Sequence, residues 1–152
     1  MTKTYRVGII GRTGKGNYGH GLDTVWAEFP NIEVVAVADE DEKGRIDAAK
    51  RTRAKQAYVD YREMLDKEKP DIVAVAPRWL DAHRDMVVAA AERGCHIFME
   101  KPICRTLEEA DEIGAARTGH LDMHRGAVML AAQLVADATA AFRRATEEFD
   151  RG

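Results

Sequence analysis

Two cysteines in 152 residues, Cys95 and Cys104, are too few for a disulfide framework and lack the spacing of a zinc site. An excess of one charge is also missing. Lys and Arg number 23 against 26 Asp and Glu, a formal net charge of -3. Bases and acids are interleaved, with no basic stripe carrying aromatics, so there is no electrostatic case for nucleic acid or an anionic membrane as a partner. No uninterrupted apolar run is long enough to cross a bilayer, and no repeat or low-complexity segment occurs. Met1-Thr2-Lys3-Thr4 leads into a strand without an apolar signal region, so a reducing cytoplasm is the expected location. His120 and His124 stand four apart, but no third ligand is placed beside them, so no metal is expected.

What is present fits a soluble α/β domain: 45% hydrophobic and 32% charged residues, at a length that supports one independent core. Strand-like runs are Arg6–Ile10, Ile32–Ala38, Ala57–Val59, Asp71–Ala76 and His96–Met99. Several are nearly continuous β-branched stretches, as in strands buried on both faces. Helical patterns separate them. Leu22, Val25, Trp26 and Phe29 fall at i, i+3, i+4, i+7. A charged helix runs from Asp41 to about Arg53, and Tyr61–Lys69 is ended by Pro70. Trp79–Arg93 is closed by Gly94, and Thr106 with Glu109 reads as a capping box. Five strands wound this way predict a doubly wound parallel sheet of Rossmann type, order 3-2-1-4-5, with the binding crevice at the strands' carboxyl ends.

The sharpest feature lies after the first strand: Gly11-Arg12-Thr13-Gly14-Lys15-Gly16-Asn17-Tyr18-Gly19. Glycines there let backbone amides approach a pyrophosphate, and the N-terminus of a following helix supplies partial positive charge. Two framings fit. Gly14, Gly16 and Gly19 match G-x-G-x-x-G literally, whereas counting from the strand end gives Gly11 and Gly16 with Thr13 in the second glycine position. Arg12 or Lys15 adds charge toward the phosphates. Asp39, at the next strand end, is placed to receive ribose hydroxyls, and its charge favours NAD over NADP. A nucleoside-triphosphate P-loop is excluded, because Ile9 stands where its first glycine is needed and Gly16 where its hydroxyl residue is needed.

The second signal is Glu100-Lys101-Pro102, directly after strand five. Taken with Val7–Gly19, Val35–Asp39, Asp60–Leu65, Pro70–Val73 and Gly94–Pro102, the chain from about Tyr5 to Ile113 resembles the glucose–fructose oxidoreductase / inositol dehydrogenase (Gfo/Idh/MocA) family. The resemblance implies hydride transfer between NAD and the hydroxyl carbon of a sugar, inositol or similar polyol. It implies that Lys101 sits beside the nicotinamide and binds the substrate hydroxyl or moves its proton, with Pro102 structural. Pro77, Arg78 and Glu100 would border the nicotinamide end, where Trp79 either stacks or packs the helix start. His83 reads as a satisfied helix histidine, and Cys95 and Cys104 as inert thiols.

Nothing after Ile113 matches the family's pattern. The expectation is a dinucleotide-binding domain over 1–118, a divergent linker and Ala-rich amphipathic helix over 119–152, and no substrate domain. The helix seam, Val128 through Phe149, packs on its own domain or forms a homodimer contact. NAD binding with little or no turnover follows. The alternatives are a non-catalytic nucleotide-binding or interaction module acting through that helix, or a relic with an empty site.

Overall fold

All pairings in the sheet are parallel, and its five strands lie in the order β3-β2-β1-β4-β5. The strands are β1 (Tyr5–Ile10), β2 (Ile32–Ala38), β3 (Gln56–Tyr58), β4 (Ile72–Val75) and β5 (His96–Met99). This computed structural model describes residues 3–118, and the order is the expected one. The expected linker, Ala-rich helix and homodimer seam, with His120 and His124, lie outside the described residues.

Alternation along the strands sends apolar side chains to both faces. Val7, Ile9, Val37, Ile72 and Ala74 meet Leu22, Trp26 and Ala48 on one side. Ile10, Ala38, Val73 and Val75 meet Met64, Leu65, Met86, Val87 and Ala90 on the other. Full burial of side chains such as Met64 and Leu65 is worth roughly 1.5–3 kcal/mol each. The covering helices are α1 (Glu42–Thr52), α2 (Tyr61–Glu68), α3 (His83–Glu92) and α4 (Leu107–Thr118).

Three of these four helix starts follow from a capping side chain, α3 beginning instead after Ala82 without one. Asp41 accepts from Gly44 N at 2.7 Å, and Asp60 from Arg62 N at 2.8 Å. Thr106 Oγ1 accepts from Glu109 N at 3.2 Å, while the Glu109 carboxylate reaches one residue further back, to Arg105 N at 2.8 Å. The expected helix from Trp79 is shorter than its pattern, because a 3-10 turn at Leu80–Ala82 precedes α3. Cys95 is buried in the core, which pushes its thiol up to about 11, and Cys104 Sγ donates to Thr106 O.

One expected helix is absent. Leu22 and Trp26 are buried as their periodicity requires, yet the backbone there is a series of turns ending in a 3-10 turn, Val25–Glu28. Gly19 and Gly21 take left-handed φ values, which no right-handed helix accommodates, and Pro30 follows closely. The partial positive charge expected from a helix after the glycine run is therefore not supplied by an α-helix.

Register brings the site together. Ile10 stands level with Ala38 and with Val75, Val75 with Met99, and Ala38 with Tyr58. The ladder continues one residue beyond each strand. Gly11 N donates to Ala38 O, Asp39 N to Tyr58 O, Ala76 N to Ile10 O and Glu100 N to Val75 O, all at 2.9–3.0 Å. Gly11, Asp39, Ala76 and Glu100 thus emerge side by side at one edge.

Candidate functional site

From Gly11 the chain folds back on itself. Arg12 N donates to Asn17 O at 3.2 Å, and Asn17 N and Lys15 N both donate to Arg12 O at 2.9 Å. Gly14 N donates to Asn17 Oδ1 at 2.9 Å, so the Asn17 side chain is turned into the loop. The amides of Gly16, Tyr18 and Gly19 have no protein partner among the described residues. The Tyr18 ring is buried beneath the loop, and a Cβ on Gly11 would run into it. Of Tyr18, only the backbone N–H is therefore turned toward the loop's outer face, the ring being buried. Burial first, then the charge of Asp39, drives the Tyr18 hydroxyl far above the ordinary phenol range.

Asp39 is not a solvated strand end. It is 2% exposed, and its carboxylate accepts from Thr13 N, Thr13 Oγ1 and Asp41 N. Beside it lies a shallow, open depression lined by Ile10, Gly11, Arg12, Glu40, Val59 and Met86 among others. Apolar walls, two acids and the free loop amides are a donor and acceptor set that fits an adenosine ribose with its adjoining phosphates. Arg45 Nη1 is tied to Asp39 O at 2.7 Å, and Lys15 Nζ lies 3.9 Å from Glu40.

The far wall is the segment after β4. Gly16 O accepts from Arg78 N at 3.2 Å, and Arg12 Nη1 reaches both oxygens of Asp81 at 2.9 Å. That Arg12 hydrogen bond is the main reason Asp81 is held below the usual carboxylate range. Pro77 is fully buried and Trp79 is exposed. His83, with no exposed surface, bridges this wall to the end of β5: Nε2 lies 2.6 Å from Pro77 O and Nδ1 3.0 Å from Pro102 O. Glu100 is 3% exposed. One oxygen accepts from Lys101 N at 3.0 Å, and the other from His20 N at 3.1 Å and faces His20 Nδ1 at 2.8 Å. Lys101 is exposed at the rim, and its peptide bond to Pro102 is cis.

A model of the Gfo/Idh/MocA family, described as "Oxidoreductase family, NAD-binding Rossmann fold", matches residues 5–122. The chain belongs to this family. An inositol 2-dehydrogenase/D-chiro-inositol 3-dehydrogenase of Shouchella clausii is 35% identical over 122 residues, covering 77% of this chain and 33% of that protein. Among solved structures, the myo-inositol 2-dehydrogenase of Lactobacillus plantarum is 27% identical with a TM-score of 0.66, covering 78% of this chain and 34% of that one. A levoglucosan dehydrogenase in complex with NADH and L-sorbose is 28% identical with a TM-score of 0.63, covering 77% and 32%. The chain thus spans about a third of the length of these relatives. As a member of Gfo/Idh/MocA it carries that family's NAD-binding Rossmann domain.

Within this Gfo/Idh/MocA domain the structure adds residues that sequence reasoning did not single out as site members. These are His20 against Glu100, Asp81 against Arg12, and His83 between two carbonyls. Glu100 also turns out to be a brace, with both oxygens engaged by protein groups and facing away from solvent. Burial pushes its carboxyl up, but the His20 and Lys101 hydrogen bonds outweigh this and hold it below its ordinary value of 4.5. Such a group stabilises the fold above pH 4.5, and the contribution is lost as pH falls below that value toward the folded one. In urea titrations from pH 7 to pH 3, the gap in stability between the native chain and Glu100→Gln is therefore expected to narrow below pH 4.5. A gap independent of pH would show that Glu100 holds its neighbours without its charge.

Proposed function

We propose that residues 1–118 bind NAD along the carboxyl edge of the sheet, as the cofactor half of a dehydrogenase acting on the hydroxyl carbon of a sugar or polyol. The observation that carries the reading is the level register that brings Gly11, Asp39, Ala76 and Glu100 to one edge. Asp39 faces the adenosine ribose. The loop of Gly11, Arg12, Thr13, Gly14, Gly16, Asn17, Tyr18 and Gly19 follows the pyrophosphate, and Pro77, Arg78, Glu100 and Lys101 border the nicotinamide end. The acids Asp39, Glu40 and Asp41 disfavour the 2′-phosphate of NADP.

Bound NAD supplies the hydride acceptor. With NAD bound, Lys101 Nζ would hold the substrate hydroxyl and, as a neutral amine, accept its proton, while the carbon-bound hydrogen would pass to the cofactor as hydride, leaving a carbonyl. Hydride transfer also requires the substrate carbon to be held in near contact, and a single lysine on an exposed rim does not hold it. The 152 residues alone are therefore proposed to bind NAD with little or no turnover. No helix among the described residues is long and apolar enough to cross a membrane, and two free cysteines accord with a reducing cytoplasm as the location.

Calorimetric titration with NAD and NADP tests the reading. Saturable NAD binding, tighter than NADP, is expected, and no binding of either would overturn it. Incubation with NAD and a polyol panel tests the second part. Appreciable NADH formation that disappears in Lys101→Ala would refute the lack of turnover while supporting the role of the lysine.

A further inference from the structure

We infer that Thr13 sets the affinity of this domain for its cofactor by standing in for a ribose hydroxyl on Asp39. The inference rests on the reading above that the ribose of NAD meets that carboxylate. Counted from the end of β1, Thr13 occupies the second glycine position of the loop. Its Oγ1 donates to Asp39 Oδ2 at 2.7 Å, and its backbone N–H lies 3.0 and 3.2 Å from the two carboxylate oxygens. Asp41 N donates to Oδ1 at 3.0 Å. A carboxylate offers about four lone-pair positions. These contacts use them, and with 2% exposure little of Asp39 is left for a sugar diol to reach.

The seat of the threonine is built by a second element. Gly44, in the first turn of α1, lies against Thr13, and a Cβ on it would run into Thr13 Oγ1 and Thr13 Cβ. Thr13 itself is exposed to solvent, so its side chain has room to turn away when a ligand arrives. Ribose binding is then an exchange: a sugar O–H replaces the Thr13 O–H on Oδ2, and the carboxylate gains no hydrogen bond in total. Arg12 and Gly16 hold the loop at either end, by Asp81 and Arg78, so the exchange requires only the Thr13 side chain to turn.

The test compares NAD with its 2′-deoxyadenosine analogue on the full chain. Thr13→Val keeps the shape and removes the donor, so Asp39 is left needing the ribose. NAD should bind about three- to tenfold more tightly than to the native chain, the worth of one net hydrogen bond. The analogue should gain less, and Thr13→Ser should match the native protein on both ligands. Thr13→Gly, which enlarges the space beside Gly44, makes the same comparison should the valine variant fail to fold. Unchanged or weaker NAD binding by folded Thr13→Val or Thr13→Gly would overturn the role of Thr13 alone. So would equal gains for the two ligands. Absence of saturable NAD binding by every form, native included, would overturn the cofactor reading together with this one.

Discussion

Replacing His83 by leucine is expected to lower the stability of the domain by about 2–4 kcal/mol. The ring has no exposed surface, and its two nitrogens face two backbone carbonyls, Pro77 O at 2.6 Å and Pro102 O at 3.0 Å. A ring with one N–H satisfies one carbonyl and a ring with two satisfies both. Leucine satisfies neither. An orphaned buried acceptor costs about 1–3 kcal/mol, and the Pro77 carbonyl is the one more fully removed from water. For a domain of this size about 1 kcal/mol moves the melting temperature by roughly 4–8 °C, so a fall of more than about 10 °C is expected in a thermal melt. Glutamine at 83 carries amide hydrogens that reach at least one carbonyl and should recover about half of the loss. A leucine variant melting within a few degrees of the native protein would mean that water or a backbone shift replaces the histidine. Together the two contacts tie the segment bearing Lys101 and Pro102 to the wall at Pro77, so the loss should be felt at the proposed nicotinamide end as well as in the core.

This histidine shows where sequence reasoning reaches and where it stops. Its burial on a helix was legible, because α3 is apolar around it. Its partners were not, since nothing local in the chain relates position 83 to carbonyls at 77 and 102. Arg12 and Asp81 are 69 residues apart, and His20 and Glu100 are 80 apart. Such pairs arise only when register sets the strand ends side by side. The register itself was within reach: β-branched runs at Val34–Ala38 and Ile72–Val75, alternating with helical patterns, lead to a doubly wound sheet and its strand order.

The missing first helix teaches a different lesson. The spacing of Leu22, Val25, Trp26 and Phe29 reports which side chains turn inward, and Leu22 and Trp26 do. It does not report the hydrogen-bond pattern, which here is made of turns such as Thr24 N to Gly21 O and Ala27 N to Thr24 O. Left-handed glycines decided the backbone, while burial decided the side chains. Asp39 was correctly placed at the strand end, but its enclosure by Thr13 depends on a glycine in α1 that no motif connects to the loop.

The two framings of the glycine run share Gly16 and part at Gly14, so alanine at Gly14, read against alanine at Gly16, separates them. Gly16 has φ 93° and its missing Cβ points at Arg78 N and Trp79 N. Those are backbone atoms in a segment that also hydrogen-bonds to Gly16 O, so they cannot step aside as a flexible side chain would. Gly16→Ala must part the loop from the wall after β4 and so displace the loop proposed to follow the pyrophosphate. The expected result is a loss of about 2–3 kcal/mol in stability, from backbone strain and the clash together, and NAD binding weakened by more than about tenfold, equivalent to about 1.4 kcal/mol. Gly14 also has positive φ, 79°, but nothing lies within 4 Å of a Cβ there. Gly14→Ala should carry only the backbone strain, about 1 kcal/mol, with NAD affinity within about threefold of the native value. That contrast is what a fingerprint beginning at Gly11 requires, because Gly14 is then a spacer position. If Gly14→Ala instead abolishes NAD binding in a protein that melts normally, the phosphates lie over Gly14 itself. The motif would then begin there, and the ribose would sit further from Thr13 than the exchange at Asp39 demands.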